Sequence, residues 1–275
     1  MAADRDFVVR PFEGLPGEAG LVAMRQLIPA ATATLQLNQA AGGGELLVVT
    51  VLPDLVRAWR RSDGQPVLAM QPALGANDVS RDLGQAVQAA LEAPRGEAVK
   101  PAALITSPDS PRLQDLVDPK SKFELTVHDS FGFWADLAED SDELVKSAEE
   151  VAENLDPTVQ VPDVEMAFWT DLGGRPFLRW AMGVEEEALL DALARLQAKR
   201  QAGVVEEAKY AGAFRALGIV IPVWELPSGT TAADLTEALG TYRQRFDEAL
   251  ASQEPLDGAV RRARAGLVAR SFTLR

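Results

Sequence analysis

His128, Asp129 and Ser130 stand side by side in TVHDSFGFW (126–134), and His128 is the only histidine among 275 residues. These are the residue types of a hydrolytic triad, in which a carboxylate orients an imidazole and the imidazole takes a hydroxyl proton. Their adjacency works against that chemistry. Consecutive side chains of a strand point to opposite faces, so His128 and Asp129 diverge, whereas triad members converge from distant segments. The favoured reading is a strand end, with Asp129 or Ser130 capping the next turn. If His128 acts, it acts as a lone general base or a pH-sensitive contact; His128 and Asp129 are the only catalytic candidates.

Other chemistry finds little support. G-x-S-x-G and S-x-x-K nucleophile motifs are absent. Gly42–Gly44 are followed by Glu45 rather than Lys-Ser/Thr, so they read as a hairpin loop and not a phosphate-binding loop. EDSDE (139–143) is rich in carboxylates but lacks the spaced ligands and the glycine of a calcium loop; it reads as a solvated helix start. Asp54 and Asp163 each follow a proline, and turn formation is the favoured role over paired acid/base work. With no cysteine and one histidine, thiolate chemistry, disulfides and multi-His metal sites within the chain are excluded. An all-carboxylate Mg²⁺ or Ca²⁺ site stays open, and no cofactor or metal is expected.

Charge is segregated. The net charge is −14, which opposes general nucleic-acid binding. Residues 136–156 carry nine acids against one lysine, and residues 257–275 carry five arginines against one acid. Arg261, Arg262, Arg264 and Arg270 are therefore the partner-binding candidates: they could grip phosphate or an acidic partner, or dock on the chain's own acidic helix. The N-terminal residues do not resemble a signal peptide, and no segment approaches the roughly 20 apolar residues of a membrane span. The expected location is the cytoplasm.

The elements around these residues follow from periodicity. Leu21, Met24, Leu27 and Ile28 mark a helix stopped by Pro29. TATLQLN and ELLVVTVL read as strands, and VRAWRRSDGQPVLAMQP as a hairpin turning near Asp63-Gly64. Val79, Leu83, Val87 and Leu91 share a helix face, with Asn77 as its cap. A strand is expected at Ala102–Thr106, a helical turn near Leu113–Val117 and a strand at KFELTVHD. Leu144, Ala148, Val151 and Leu155 give the acidic segment one apolar face, with Ser141 as cap. EMAFWTDLGGRPFLRWAM reads as a second hairpin, EEEALLDALARLQAKR as a helix and GIVIPVWEL as a strand. Leu235, Leu239, Tyr242, Phe246, Ala249 and Leu250 form the longest apolar stripe. Trp134, Trp180 and Trp224 are expected in the core or half-buried.

Two segments look alike. Trp59–Leu68 and Trp169–Leu178 both fit W-x4-G-[QR]-P-[VF]-L, and TVLPD (50–54) resembles TVQVPD (158–163). These suggest a duplicated ββαβα-like unit. The expected fold is α+β, with mostly antiparallel sheets and helices on one face. The expected halves are 1–138 and 139–275, the second carrying the basic C-terminal segment, the two tightly associated or one domain.

RPFEGLPGEAGLVAMRQLIPAATATLQL (10–37), SPRLQDLVDP, LTVHDSFGFW and RRARAGLVARSFTLR together resemble a family of uncharacterised actinobacterial proteins that open with the RPFEGLPGE run. The resemblance spans nearly the whole chain. It implies relatives with a basic N-terminal extension, and it implies no activity. A topoisomerase label borne by some relatives has no counterpart here in a glycine loop or a tyrosine in a strand-cleavage context.

The leading function expected is a non-enzymatic protein-binding module of adaptor or chaperone-like type. Two rivals are a hydrolase using His128 with a carboxylate, and a nucleic-acid-associated protein acting through the C-terminal arginines. Another protein is the expected partner, with no membrane contact and nucleic acid disfavoured; the oligomeric state is left open.

Overall fold

The computed structural model describes residues 7–71, 77–137, 142–153 and 155–273. The chain divides into two compact units, Met1–Leu155 and Asp156–Arg275. The compact division therefore falls later than 138/139, and the acidic segment packs with the first unit.

The first unit runs α1 (Glu18–Gln26), β1 (Ala31–Gln36), β2 (Glu45–Val49), β3 (Ala58–Arg60), β4 (Pro66–Ala69), α2 (Val79–Glu92), β5 (Glu97–Ala98), α3 (Leu113–Leu116), β6 (Glu124–Val127) and α4 (Asp142–Ala152). Its sheet has the order β5-β3-β4-β2-β1-β6, antiparallel except for the β2/β4 pair. Gly42, Gly43 and Gly44 all take left-handed φ in the β1–β2 loop, which other residues resist. Asp78, rather than Asn77, caps α2, through a bond from the Arg81 N–H. Pro101–Leu104 forms a 3₁₀ turn where a strand was expected. A short apolar run cannot by itself separate strand from helix, and Pro101 at the first helical position sets a helical φ.

Both faces of this sheet are used, contrary to the one-face expectation. α2 lies against β3 and β4. Val49, Val67 and Ala69 belong instead to a cluster with Phe131, Trp134, Leu137 and Ala148. Thus the 3₁₀ turn Gly132–Asp136 and α4 hold the other face. Of the acidic helix only Ala148 is buried; Leu144 and Leu155 are half-buried and Val151 is exposed. Ser141, its expected cap, and residues 139–141 of EDSDE lie outside the described residues.

The second unit runs β7 (Thr158–Gln160), β8 (Ala167–Asp171), β9 (Pro176–Trp180), α5 (Glu186–Ala198), β10 (Lys209–Ala216), β11 (Ile219–Glu225), α6 (Leu235–Ala251), α7 (Gly258–Val268) and β12 (Ser271–Thr273). Its sheet order is β12-β10-β11-β9-β8-β7, antiparallel except for β10/β12. Leu178, Trp180, Val220 and Trp224 share one core with Leu189 and Leu193 of α5 and Leu235, Leu239, Tyr242 and Phe246 of α6. Gly212 marks a bulge in β10; a Cβ there would stand 2.4 Å from the Arg270 carbonyl.

The chain is therefore α+β with two mostly antiparallel sheets. Five strands follow one order in each, β5-β3-β4-β2-β1 and β12-β10-β11-β9-β8, but β2 and β4 pair parallel whereas β9 and β11 pair antiparallel. The matching hairpins differ too. Trp59 pairs with Val67, whereas Trp169 pairs with Leu178. The first turn closes with the Gly64 N–H on the Arg61 carbonyl. The second turns through Gly173 and Gly174, both at positive φ, with the Leu172 N–H on the Arg175 carbonyl. One residue of slip exchanges which side chain opposes tryptophan. The likeness does hold at the Pro-Asp turns. Asp54 and Asp163 both take left-handed φ, in turns closed by Leu55 N–H to Leu52 and Val164 N–H to Val161. Aspartate tolerates that conformation, so both residues are placed in turns.

Candidate functional site

His128 lies at the end of β6, an edge strand. Its backbone N–H donates to the Ala30 carbonyl at 2.9 Å, and Thr126 and Glu124 pair with Thr32 and Thr34. In an antiparallel ladder, alternate residues bond to the neighbour. Residues 124, 126 and 128 thus bond toward β1. Leu125 and Val127 turn their N–H and C=O groups outward, and no described residue engages them.

The His128 ring is half-buried. Nε2 lies 2.9 Å from Thr32 Oγ1, and the ring sits 5.4 Å from that of Phe133. Burial lowers the His128 pKa below its ordinary value, and the nearby Asp129 carboxylate partly opposes this. The neutral imidazole is therefore the favoured form at pH 7. Asp129 is exposed and makes no hydrogen bond with His128 among the described residues. Ser130 Oγ accepts the Gly132 N–H at 3.4 Å, at the start of the next turn. The three adjacent residues therefore have three separate surroundings, and they do not converge as a triad.

The same sheet face bears a hollow of about 340 Å³, lined by Thr34, Gln36, Glu45, Lys120, Lys122 and Glu124 among others. Its rim loop is tied to β1. The Asp118 N–H donates to the Gln36 carbonyl, Ser121 Oγ accepts the Gln36 N–H, and Asp118 Oδ1 accepts the Lys120 N–H. Sequence reading passed over this loop as a polar connection. Its one local signal is two lysines flanking a serine immediately before a strand.

The arginine candidates lie on α7 and just past it, rather than on a tail. Arg264 is paired with Glu187 and Asp191 of α5. Arg270 donates to the Tyr210 and Gly266 carbonyls and stands 5.5 Å from the Tyr210 ring centre. Arg261 and Arg262 are exposed, and Arg261 donates to the Leu256 carbonyl. Two of these four cations, Arg264 and Arg270, are engaged by their own unit. Trp134, Trp180 and Trp224 are buried, as expected. Tyr210 and Tyr242 are buried as well. Burial pushes the Tyr210 phenol up to about 12 and raises that of Tyr242, which leaves both as poor nucleophiles.

Among the described residues no three acidic or histidine side chains gather as a metal-binding group, and no helix is long and apolar enough to cross a membrane. A family model described as Family of unknown function (DUF5926) matches residues 11–275. The chain belongs to that family. No curated protein and no solved structure matches it. DUF5926 membership covers both units, including β6 and α7, and carries no assigned activity.

Proposed function

We propose that this DUF5926 chain is a non-enzymatic, cytoplasmic protein-binding module, and that it docks an extended segment of a partner protein on β6. The observation that carries this reading is the outward-facing backbone of Leu125 and Val127 at the sheet edge. Strand addition to such an edge is a recurrent mode of peptide recognition, with main-chain bonds giving affinity and alternate side chains giving specificity. Leu125 and Val127 offer half-buried apolar contacts on one side. On the other, Lys122 and Glu124 border the hollow and favour a polar segment of mixed charge. The edge is only four residues long and flanked by charge, which suits selective docking over indiscriminate strand pairing.

The engagement of His128 with Thr32 weighs against the hydrolase alternative. The pairing of Arg264 and Arg270 within their own unit weighs against nucleic-acid binding. The test is capture of partners from host lysate by wild type, Val127→Pro and His128→Ala, with and without nuclease. Proline at 127 removes one outward N–H and leaves the β1 ladder intact. A protein captured by wild type and His128→Ala, kept after nuclease and lost with Val127→Pro is the expected result. Capture unaffected by Val127→Pro in a folded protein overturns the docking edge, and loss with nuclease moves the function to the arginines.

A further inference from the structure

Arg179 was not singled out by sequence, and its surroundings pose a chemical problem. It lies on β9 with Phe177 and Leu178 before it and Trp180 after it. Its side chain is half-buried, and its Nε atom is buried without a hydrogen-bond partner. Nη2 donates to Thr170 Oγ1 on β8 and lies 3.5 Å from Thr158 Oγ1 on β7. The two hydroxyl oxygens are 3.2 Å apart, and Thr158 Oγ1 also donates to the Asp156 carbonyl.

A guanidinium has five N–H donors and no acceptor, and each hydroxyl adds another donor. Among the described residues, Arg179 donates to the two threonine oxygens alone, and both are already shared. Nε and Nη1 have no acceptor, and Nη1 keeps access to solvent. The ion pairs among the second unit's described residues use Arg175, Arg215, Arg243 and Arg264, never Arg179. Asp156 acts on Arg179 through space only, and burial lowers the guanidinium pKa to about 10. At neutral pH the group is still charged. Burying an unpaired charge is costly, and a buried orphan donor is a recognised sign of a missing ion or water.

We propose that the β7–β8–β9 edge of the second unit is an oxyanion site, in which Arg179, flanked by Thr158 and Thr170, holds one phosphate or carboxylate group. Nη1 is the point of entry, and Nε is a further donor without an acceptor. Arginine suits this task because its planar fork matches both oxyanions. The site is independent of the docking edge proposed for β6.

The test is thermal unfolding of the full chain at pH 7 and constant ionic strength, with chloride replaced by inorganic phosphate or by acetate. Wild type, Arg179→Gln and Thr170→Val are compared. The expected result is a rise in wild-type Tm that grows with the logarithm of anion concentration above Kd, about 2–4 °C at a few times Kd for a chain of this size, absent from Arg179→Gln. A response to phosphate alone identifies a phosphate group as the ligand; a response to acetate as well identifies a carboxylate-type oxyanion. An equal rise in Arg179→Gln marks a general salt effect and overturns the site. Should the variants fold poorly, the Arg179 Nε–Hε resonance of wild type is followed during phosphate titration. Saturable movement supports the site, and an unmoved resonance through titration with both anions overturns it.

Discussion

His128 and Arg179 meet the same kind of partner in different units. Each is a half-buried basic side chain, His128 just past β6 held by Thr32 of β1, and Arg179 on β9 held by Thr170 of β8 and Thr158 of β7. Their responses differ because their proton affinities differ. Imidazole titrates near neutrality, so burial is relieved by shedding the proton, and the neutral ring still exchanges one hydrogen bond with Thr32. Guanidinium cannot do this: even lowered to about 10 it stays charged at pH 7. One residue resolves its burial internally, and the other keeps donors for something outside its cluster. A single histidine therefore draws the eye in the sequence, while the less conspicuous arginine carries the unresolved chemistry.

The largest contrast is expected from the threonines. Thr170→Val removes the principal acceptor of the half-buried Arg179 cation, at a position with no solvent exposure. Its cost is about 2–3 kcal/mol, because a charged donor is left unsatisfied. Thr32→Val takes a partner from a neutral, half-buried ring and costs under about 1 kcal/mol. Chemical denaturation of both variants at pH 7 and low phosphate checks the ranking; equal costs would remove the distinction between the two sites.

Arg179→Met should be neutral or mildly stabilising in chloride, by up to about 1 kcal/mol, since it removes the charge together with its unmet donors. A loss of 3 kcal/mol or more would show that Arg179 is already fully satisfied.

Much of the fold was legible beforehand. Both hairpins, α2, α5 and α6 follow from strong periodicity and turn residues. β10 was missed because Ala211, Gly212 and Ala213 are small and its bulge interrupts the period of two. α7 stands out in sequence only as a basic segment, yet Val260, Ala263 and Leu267 share the face that meets the second unit's core. The matching tryptophan motifs specified hairpins in both places but not their register, which depends on turn geometry too fine for the shared residues to fix. The candidate sites were less legible still. The open backbone of β6 depends on its being an edge, a property of strand order. Arg179 was passed over because an arginine in PFLRW normally implies a solvent-facing side chain; only a buried Nε without an acceptor, together with no ion pair among the described residues, distinguishes it.

pH separates the two residues further. The folded-state pKa of His128 is depressed, so its contribution is fully present above the unfolded value near 6.5. It is lost as pH falls through the folded value, because the unfolded chain then binds more protons. Wild type should therefore lose stability between pH 7.5 and pH 5 relative to His128→Asn. The difference should stay below about 1 kcal/mol, since the ring is partly solvated and screened. Arg179→Met should leave this slope unchanged, because Arg179 does not titrate in that range. Denaturation midpoints at half-unit pH intervals give the slopes; a wild-type slope matching His128→Asn would mean that the ring is not desolvated.

The smallest effect tests the opposite arrangement, a buried hydroxyl with no hydrogen-bond partner. The Tyr242 hydroxyl is buried in the second unit's core without a hydrogen bond, and its ring packs edge-on to Trp224 at 5.7 Å. Tyr242→Phe keeps the ring contacts and removes the orphan oxygen. Deleting an unsatisfied buried group gives back its desolvation cost, so the variant should gain about 0.5–1 kcal/mol, read as a higher denaturation midpoint. A loss instead would place a bound water on that hydroxyl, satisfying it as the proposed anion satisfies Arg179.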